Sequence, residues 1–335
     1  MGLPIPGSLT PSKVATFKDC GLAFRFSVID RLPEPPSLQA FKGTVVHRAL
    51  ELLMWEEPPG ARSVGAALTK LDRAFAELSA GPEGIALGLE GDQREEFIED
   101  SRQLVRNYFV LEDPDSVRVI GTELLMQVDT GLRPVHDVDL AHVPGAPEGL
   151  AAAAVPPAGR AATVRLRGII DRLELDDDGE LVVTDYKTGR APGAAQEQGR
   201  LGGVHFYAFL CEKVLGKRPV RVQLLHLREP LAIETAPSDM SISGLEIQAT
   251  AIWDAIRRAC FLEDFRPKPG AVCDRCAFHA YCPAKGGDIS LVEGARDGHG
   301  LDGVKVPLPA ESPCPNGAPA VLGPQPLPLP LAASW

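Results

Sequence analysis

The chain has 335 residues, 44% of them hydrophobic and 24% charged, with a formal net charge of -11 at pH 7. That length and apolar content can bury a sizeable core in one large domain, and the acidic balance excludes a protein that coats nucleic acid or an anionic membrane with its whole surface. No apolar run approaches the ~20 residues of a membrane span, and the opening "MGLPIPGSLTPSK" lacks the apolar centre of a secretory signal, so no membrane partner is expected and the expected location is the cytoplasm.

In chain order, "SLTPSKVATFKDCGLAFRF" reads as a short helix capped by Ser8 or Thr10, with Pro11 in its first turn, and it carries Cys20. After the turn "LPEPP", Val46, Leu50, Leu53 and Met54 recur at helical spacing. This predicts a helix over about 43–56 and puts His47 and Glu51 on one face. Helices over about 64–78 and 93–111 follow, the second ending before Pro114, and make a helical layer. From Val117 the period changes to that of strands: "VRVIGTELLMQVDTG", then "TVRLRGIIDRLELDDDGELVVTDYKTG", with a hairpin turn at "DDDGE". The Ala-, Gly- and Pro-rich stretch between them, about 133–162, reads as an inserted loop. A helix over about 195–215, a strand "VRVQLLHL" and a helix over about 243–261 precede "CDRCAFHAYC". From about residue 288 the chain is too rich in proline to pack, and a disordered, polyproline-like tail is expected.

Side chains alternate along a strand, so in "LVVTDYKTG" Leu181, Val183, Asp185 and Lys187 share a face, with the charged pair at its end. By the same count Asp171 shares a face with Ile169, and pairing through the hairpin lets the carboxylates of Asp171 and Asp185 converge. With the His47 imidazole nearby, they make an oxygen-rich site for Mg²⁺ or Mn²⁺. Lys187 beside it could orient or deprotonate a water and stabilise charge on a phosphoryl oxygen, the chemistry of phosphodiester hydrolysis. The plain alternative is a solvated strand end, with Asp171 paired to Arg172 or Arg167, and for a lone D-x-K that alternative wins. The ordered set of a "GTVVHRALE" helix, a "GIIDR" strand and a "DYKTG" strand turns the balance, because each puts a polar group where a core wants an apolar one.

Seven cysteines, three of them in "CDRCAFHAYC", suit a metal or cluster site in a reducing compartment better than a disulfide framework. Cys20, Cys273, Cys276 and Cys282 supply four thiolates that fit either a [4Fe–4S] cluster or a tetrahedral zinc by spacing. Closing the long loop from Cys20 to Cys273 would staple the two ends of the domain. His279 is an alternative ligand, and Cys211, Cys260 and Cys314 read as bystanders.

The order G-x-x-x-H-x-x-L-E, G-x-x-D-R, D-Y-K-T-G resembles the RecB-type branch of the PD-(D/E)XK nucleases, which includes the RecB and AddB nuclease domains and the CRISPR-associated Cas4 proteins. Cys20 with the downstream C-x₂-C-x₅-C resembles the iron–sulfur subset of that branch. The resemblance covers roughly 8–287. It implies an α/β PD-(D/E)XK core, a mixed sheet of about four strands flanked by helices, with a helical insert over about 60–112 and a cysteine-bound lid joining the N- and C-terminal segments. It implies metal ligation by His47, Asp171, Asp185 and the Tyr186 backbone carbonyl, Lys187 as the catalytic lysine, a supporting Glu51, an additional acid in Glu123, and [4Fe–4S] rather than zinc. The family's Q-x-x-x-Y survives here as Tyr207, with Gly203 in the glutamine position.

DNA is the implied substrate, and Arg25, Lys42, Arg48, Arg190, Arg200, Lys213, Lys217 and Arg218 are candidates to track its phosphates. Phe24, Phe26 and Phe206 could stack on bases or fill the core. No G-x-x-x-x-G-K-[ST] loop is present, so unwinding would need a helicase partner. The expected function is a metal-dependent DNA exonuclease acting on single-stranded or unwound ends in repair or recombination. The competing readings are an inactive iron–sulfur scaffold subunit of a helicase–nuclease complex and a zinc-stabilised protein with an unrelated hydrolase activity.

Overall fold

Thr10 accepts a hydrogen bond from the Lys13 amide, and Pro11 takes the first turn of helix α1 (Pro11–Asp19). The computed structural model describes residues 2–131, 163–191 and 194–296, without the side chains of 194–202 and 294–296. The loop expected at 133–162, the tail beyond Arg296 with Cys314, and the Arg200 side chain lie outside the described residues. Helix α2 (Gly21–Phe24) runs on as a wider turn over Arg25–Ile29. Helix α3 (Leu38–Glu56) starts earlier than its apolar spacing suggested, because Ser37 caps it by accepting from the Ala40 amide. Helices α4 (Val64–Ser79) and α6 (Gly91–Leu111) match the expected layer. Between them lies α5 (Pro82–Leu87), bounded by Gly81 and the left-handed Gly88; six residues are too few for a period to show.

Strands β1 (Arg118–Gly131), β2 (Thr163–Leu175), β3 (Leu181–Lys187), β4 (Arg221–His226) and β5 (Leu231–Thr235) form one sheet in that spatial order. The expected count of about four strands is corrected to five among the described residues. The fifth, "LAIET", is a short edge strand with no buried residue, so no alternation marked it. Only β3 and β4 run parallel, joined by the crossover helix α7 (Ala194–Leu215); the other pairs are antiparallel. The "DDDGE" turn forms as expected, with the Asp176 carboxylate accepting from the Asp178 and Glu180 amides. Helix α8 (Asp239–Leu262) begins in a reciprocal Ser238–Ser241 cap. Beyond residue 287, where the sequence reading ended the domain, α9 (Leu291–Arg296) follows and buries Val292 in the core.

The sheet is covered on both faces, which is why Leu181 to Tyr186 of β3 are all buried. On one face Leu173, Leu181, Val183 and Leu224 pack with Phe206, Phe209 and Leu210 of α7 and Trp253 and Ile256 of α8. On the other, Tyr186, Leu225 and Leu227 pack with Val46, Leu50 and Leu53 of α3 and with Phe97 and Tyr108 of α6. Burying each such Leu or Phe contributes about 1.5–3 kcal/mol, so both helical layers are held by ordinary core packing. This mixed sheet flanked by helices is the α/β architecture of a PD-(D/E)XK core. No helix among the described residues is long and apolar enough to cross a membrane.

Candidate active site

Two glycines from the motifs set how close the helices come. A Cβ at Gly43 would stand 3.1 Å from Thr188 Oγ1, so α3 passes the end of β3 at a distance that brings His47, one turn on, to the strand. A Cβ at Gly168 would stand 2.9 Å from Leu210 Cδ1 and 3.2 Å from Tyr207 Cε1, so α7 lies close on β2 and carries Tyr207 to the carboxylates. Thr122 pairs with Arg172 and Leu124 with Ile170, while Arg172 pairs with Thr184. That register sets Glu123, Asp171 and Asp185 side by side across three strands.

His47 Nδ1 lies 3.4 Å from Asp171 Oδ2 and 4.0 Å from Glu123 Oε1, and Nε2 lies 3.0 Å from the Tyr186 carbonyl oxygen. The Tyr186 N–H donates to Asp171 Oδ2 at 2.8 Å. One ligand atom each from His47, Glu123 and Asp171 fall within 4.8 Å of one another. Glu123, given only an accessory place by the motifs, therefore joins the group. Its backbone is left-handed (φ 48°), just after a register shift between Val119 and Gly121, and this irregularity in β1 turns the side chain toward His47. Asp185 is buried and pairs through its Oδ2 with the Lys187 ammonium. The Tyr207 hydroxyl stands near Asp185 and Asp171, whose charges act on it. Arg48 holds the Glu51 carboxylate at 2.7 Å.

Crowding shows in the protonation of these acids. Burial, followed by the charge of Asp185 against the opposing charge of His47, pushes the Asp171 carboxyl up to about 6. Burial and then the charges of Asp171, Glu51 and Asp185 push Glu123 up to about 8. Burial and the same carboxylates push the Tyr207 hydroxyl upward. Carboxylates that repel one another across a gap lined by an imidazole and a carbonyl fit a hard divalent cation such as Mg²⁺ or Mn²⁺.

Cys20 lies between α1 and α2 and its sulfur accepts from the Lys268 amide at 3.4 Å. The Cys273 sulfur accepts from the Gly270 amide at 3.4 Å. Burial raises the Cys276 thiol against a backbone hydrogen bond from Phe278, with smaller contributions from Cys20, Cys282 and Cys273. His279 Nε2 is 2.6 Å from the Cys273 carbonyl, which turns that nitrogen to the backbone instead of to the thiols. Phe278 and Tyr281 anchor the segment against Phe26, with ring centroids 5.6 and 6.0 Å apart. Cys211 and Cys260 are buried within α7 and α8.

The model of the PD-(D/E)XK nuclease superfamily matches residues 8–283. The chain belongs to the PD-(D/E)XK nuclease superfamily. No curated protein matches its sequence. Among solved structures, "Crystal structure of SSO0001" covers 84% of this chain and 89% of its own at 12% identity and a TM-score of 0.34, a likeness too distant to bear on function.

Membership places the chain among nucleases that hydrolyse DNA with divalent metals, and the His47, Glu123 and Asp171 group could bind such an ion. The expected phosphate-tracking cations of this PD-(D/E)XK protein are mostly neutralised within the fold. Arg25 pairs with Asp30 at 3.0 Å, Lys42 with Asp100 at 2.7 Å, Arg48 with Glu51 at 2.7 Å, Lys213 with Glu246 at 3.6 Å, Lys217 with Glu180 at 2.8 Å and Arg218 with Asp239 at 2.8 Å. Arg190 is exposed beside the "DYKTG" strand end. Phe24, Phe26 and Phe206 are core residues and do not reach solvent to stack on bases.

Proposed function

We propose that the protein is a RecB-like, divalent-metal-dependent deoxyribonuclease that works from single-stranded or unwound DNA ends in repair or recombination. The observation that carries this reading is the meeting of His47, Glu123 and Asp171 from α3, β1 and β2, beside the Asp185–Lys187 pair of β3. His47, Glu123, Asp171, Asp185 and the Tyr186 carbonyl would hold Mg²⁺ or Mn²⁺, which when bound supplies Lewis-acid charge to a phosphoryl oxygen and lowers the pKa of a water. Lys187, 40% exposed at the end of a buried strand, faces the side from which a phosphate would arrive. Its ammonium is placed to stabilise charge on the phosphoryl oxygen and to orient the attacking water. Tyr207 stands beside Asp185, and Arg48 with Glu51 supports the helix that carries His47.

The same reading assigns Cys20, Cys273, Cys276 and Cys282 to a [4Fe–4S] cluster. Backbone N–H donors to two of the sulfurs suit a cluster whose charge they offset. Reduced thiols also suit the cytoplasm. With six of the eight candidate phosphate-tracking cations paired within the fold, that set offers little free positive charge to capture DNA, which favours delivery of an unwound strand by a helicase partner. A scaffold that had lost activity would be expected to lack one of His47, Asp171, Asp185 and Lys187, and all four are present. In the test, Lys187→Ala abolishes cleavage of labelled DNA while DNA affinity and iron content stay at wild-type levels; cleavage retained by that variant would refute the role of the lysine.

A further inference from the structure

On the sheet face opposite the carboxylates, Arg172 is wholly buried, at 0% exposure. Its guanidinium donates to the Tyr186 hydroxyl at 2.9 Å, the Tyr108 hydroxyl at 3.2 Å, the Thr184 hydroxyl at 3.1 Å and Glu112 Oε2 at 2.9 Å. It also meets Glu112 Oε1 and pairs with Glu174. Gln223 closes the network by donating to Thr184 at 2.7 Å. Removing a charge from water is costly even when every partner is met, and an apolar residue would be easier to pack at this position. The placement of Arg172 therefore calls for a purpose beyond stability.

Tyr186 supplies one. Its N–H holds Asp171, its carbonyl faces His47 Nε2, and its ring stands edge-on to the His47 ring with centroids 5.8 Å apart at 80°. One residue thus touches two of the three grouped side chains at three points. Its hydroxyl, kept protonated by burial, is tied to Arg172, and its ring packs edge-on to Tyr108 of α6 with centroids 5.8 Å apart.

We propose that Arg172 is a positioning residue for the metal centre, fixing Tyr186 by its hydroxyl and through it His47 and Asp171, and locking this arrangement to α6 through Tyr108 and Glu112. This rests on reading His47, Glu123 and Asp171 as a divalent-metal site. Partners one step removed from a metal ligand change affinity by about 10–100-fold when lost.

The test is Mn²⁺ binding by calorimetry to the full chain, comparing wild type with Tyr186→Phe, Arg172→Gln, Asp171→Ala and Phe97→Leu. Tyr186→Phe keeps the ring and the backbone contacts and removes only the hydroxyl; Phe97→Leu loosens the helical core without touching the network. The expected result is a Kd weakened about 10-fold or more in Tyr186→Phe and Arg172→Gln. Cleavage by both should recover at raised Mn²⁺ with KM for DNA unchanged, while Phe97→Leu lowers Tm and leaves Kd alone. A wild-type Kd in Tyr186→Phe, with binding lost in Asp171→Ala, overturns the inference and leaves the metal site standing. Absence of binding by wild type, or undiminished binding by Asp171→Ala, overturns the metal-site reading and the inference with it. Should Arg172→Gln fail to fold, Tyr186→Phe decides.

Discussion

The metal centre and the cysteine segment belong to one domain, yet they are assembled in opposite ways. The first draws one side chain each from α3, β1 and β2 and two from β3, and each is placed by sheet register or by a helix packed on a motif glycine. Its geometry is a property of the folded backbone. The second lies on short turns over Ala271–Arg275, His279–Tyr281 and Pro283–Lys285, where only Phe278 and Tyr281 are buried. It is tied to the N-terminal segment by single contacts such as Leu22 N–H to the Arg266 carbonyl at 3.2 Å and Lys268 Nζ to the Lys18 carbonyl at 2.9 Å. If its thiols hold the proposed cluster, a segment with so little core of its own would gain its order from that group, whereas the side chains of the proposed metal centre are positioned by the fold itself. The difference predicts that chemistry and stability separate between the two regions.

The largest effect should come from the metal centre: Lys187→Ala loses about 10²-fold or more in cleavage rate, with the melting curve in place. Cys276→Ser should reverse this pattern, losing iron and lowering Tm by about 5 °C or more while cleavage per folded molecule survives. An undisturbed melting curve in that variant would sink the staple. The smallest and most graded effect is with pH. Asp171 is raised to about 6 and Glu123 to about 8 by burial and like charge, so the folded chain keeps protons that the unfolded chain releases in the ordinary carboxylate range. Without a cation, the stability from these groups is full below that range and is lost as pH climbs through about 8. A divalent cation needs the ionised forms, so its affinity rises across the same window. The Tm difference between Mn²⁺-loaded and metal-free protein should therefore widen from pH 5.5 to 8; a constant difference would detach these acids from the metal.

Much of this was legible in the sequence because it is local. The i, i+4 spacing of His47 and Glu51, the hairpin that opposes Asp171 to Asp185, and the C-x₂-C-x₅-C run are all set by a few neighbouring residues. What escaped depends on distant partners. In the sequence Arg172 has no role beyond the plain alternative of pairing with Asp171, and its partners Tyr108 and Glu112 stand 64 and 60 residues away. Lys42 was offered to DNA, and it is buried against Asp100, 58 residues on. Glu123 is named only through the family resemblance, as an additional acid; the bulge in β1 and the left-handed backbone that accompany its place beside His47 are not announced by an alternating strand pattern. Residue type told what chemistry was available, and long-range register decided which groups met.

The most direct test of the central claim is cleavage of end-labelled single- and double-stranded DNA by anaerobically purified protein, with Mg²⁺ or Mn²⁺ against EDTA and with Asp185→Ala alongside. Metal-dependent degradation that EDTA and the substitution both abolish is the predicted result, and the label then gives the polarity. Intact DNA after incubation with folded, iron-loaded wild-type protein and metal, or equal degradation by Asp185→Ala, would contradict it.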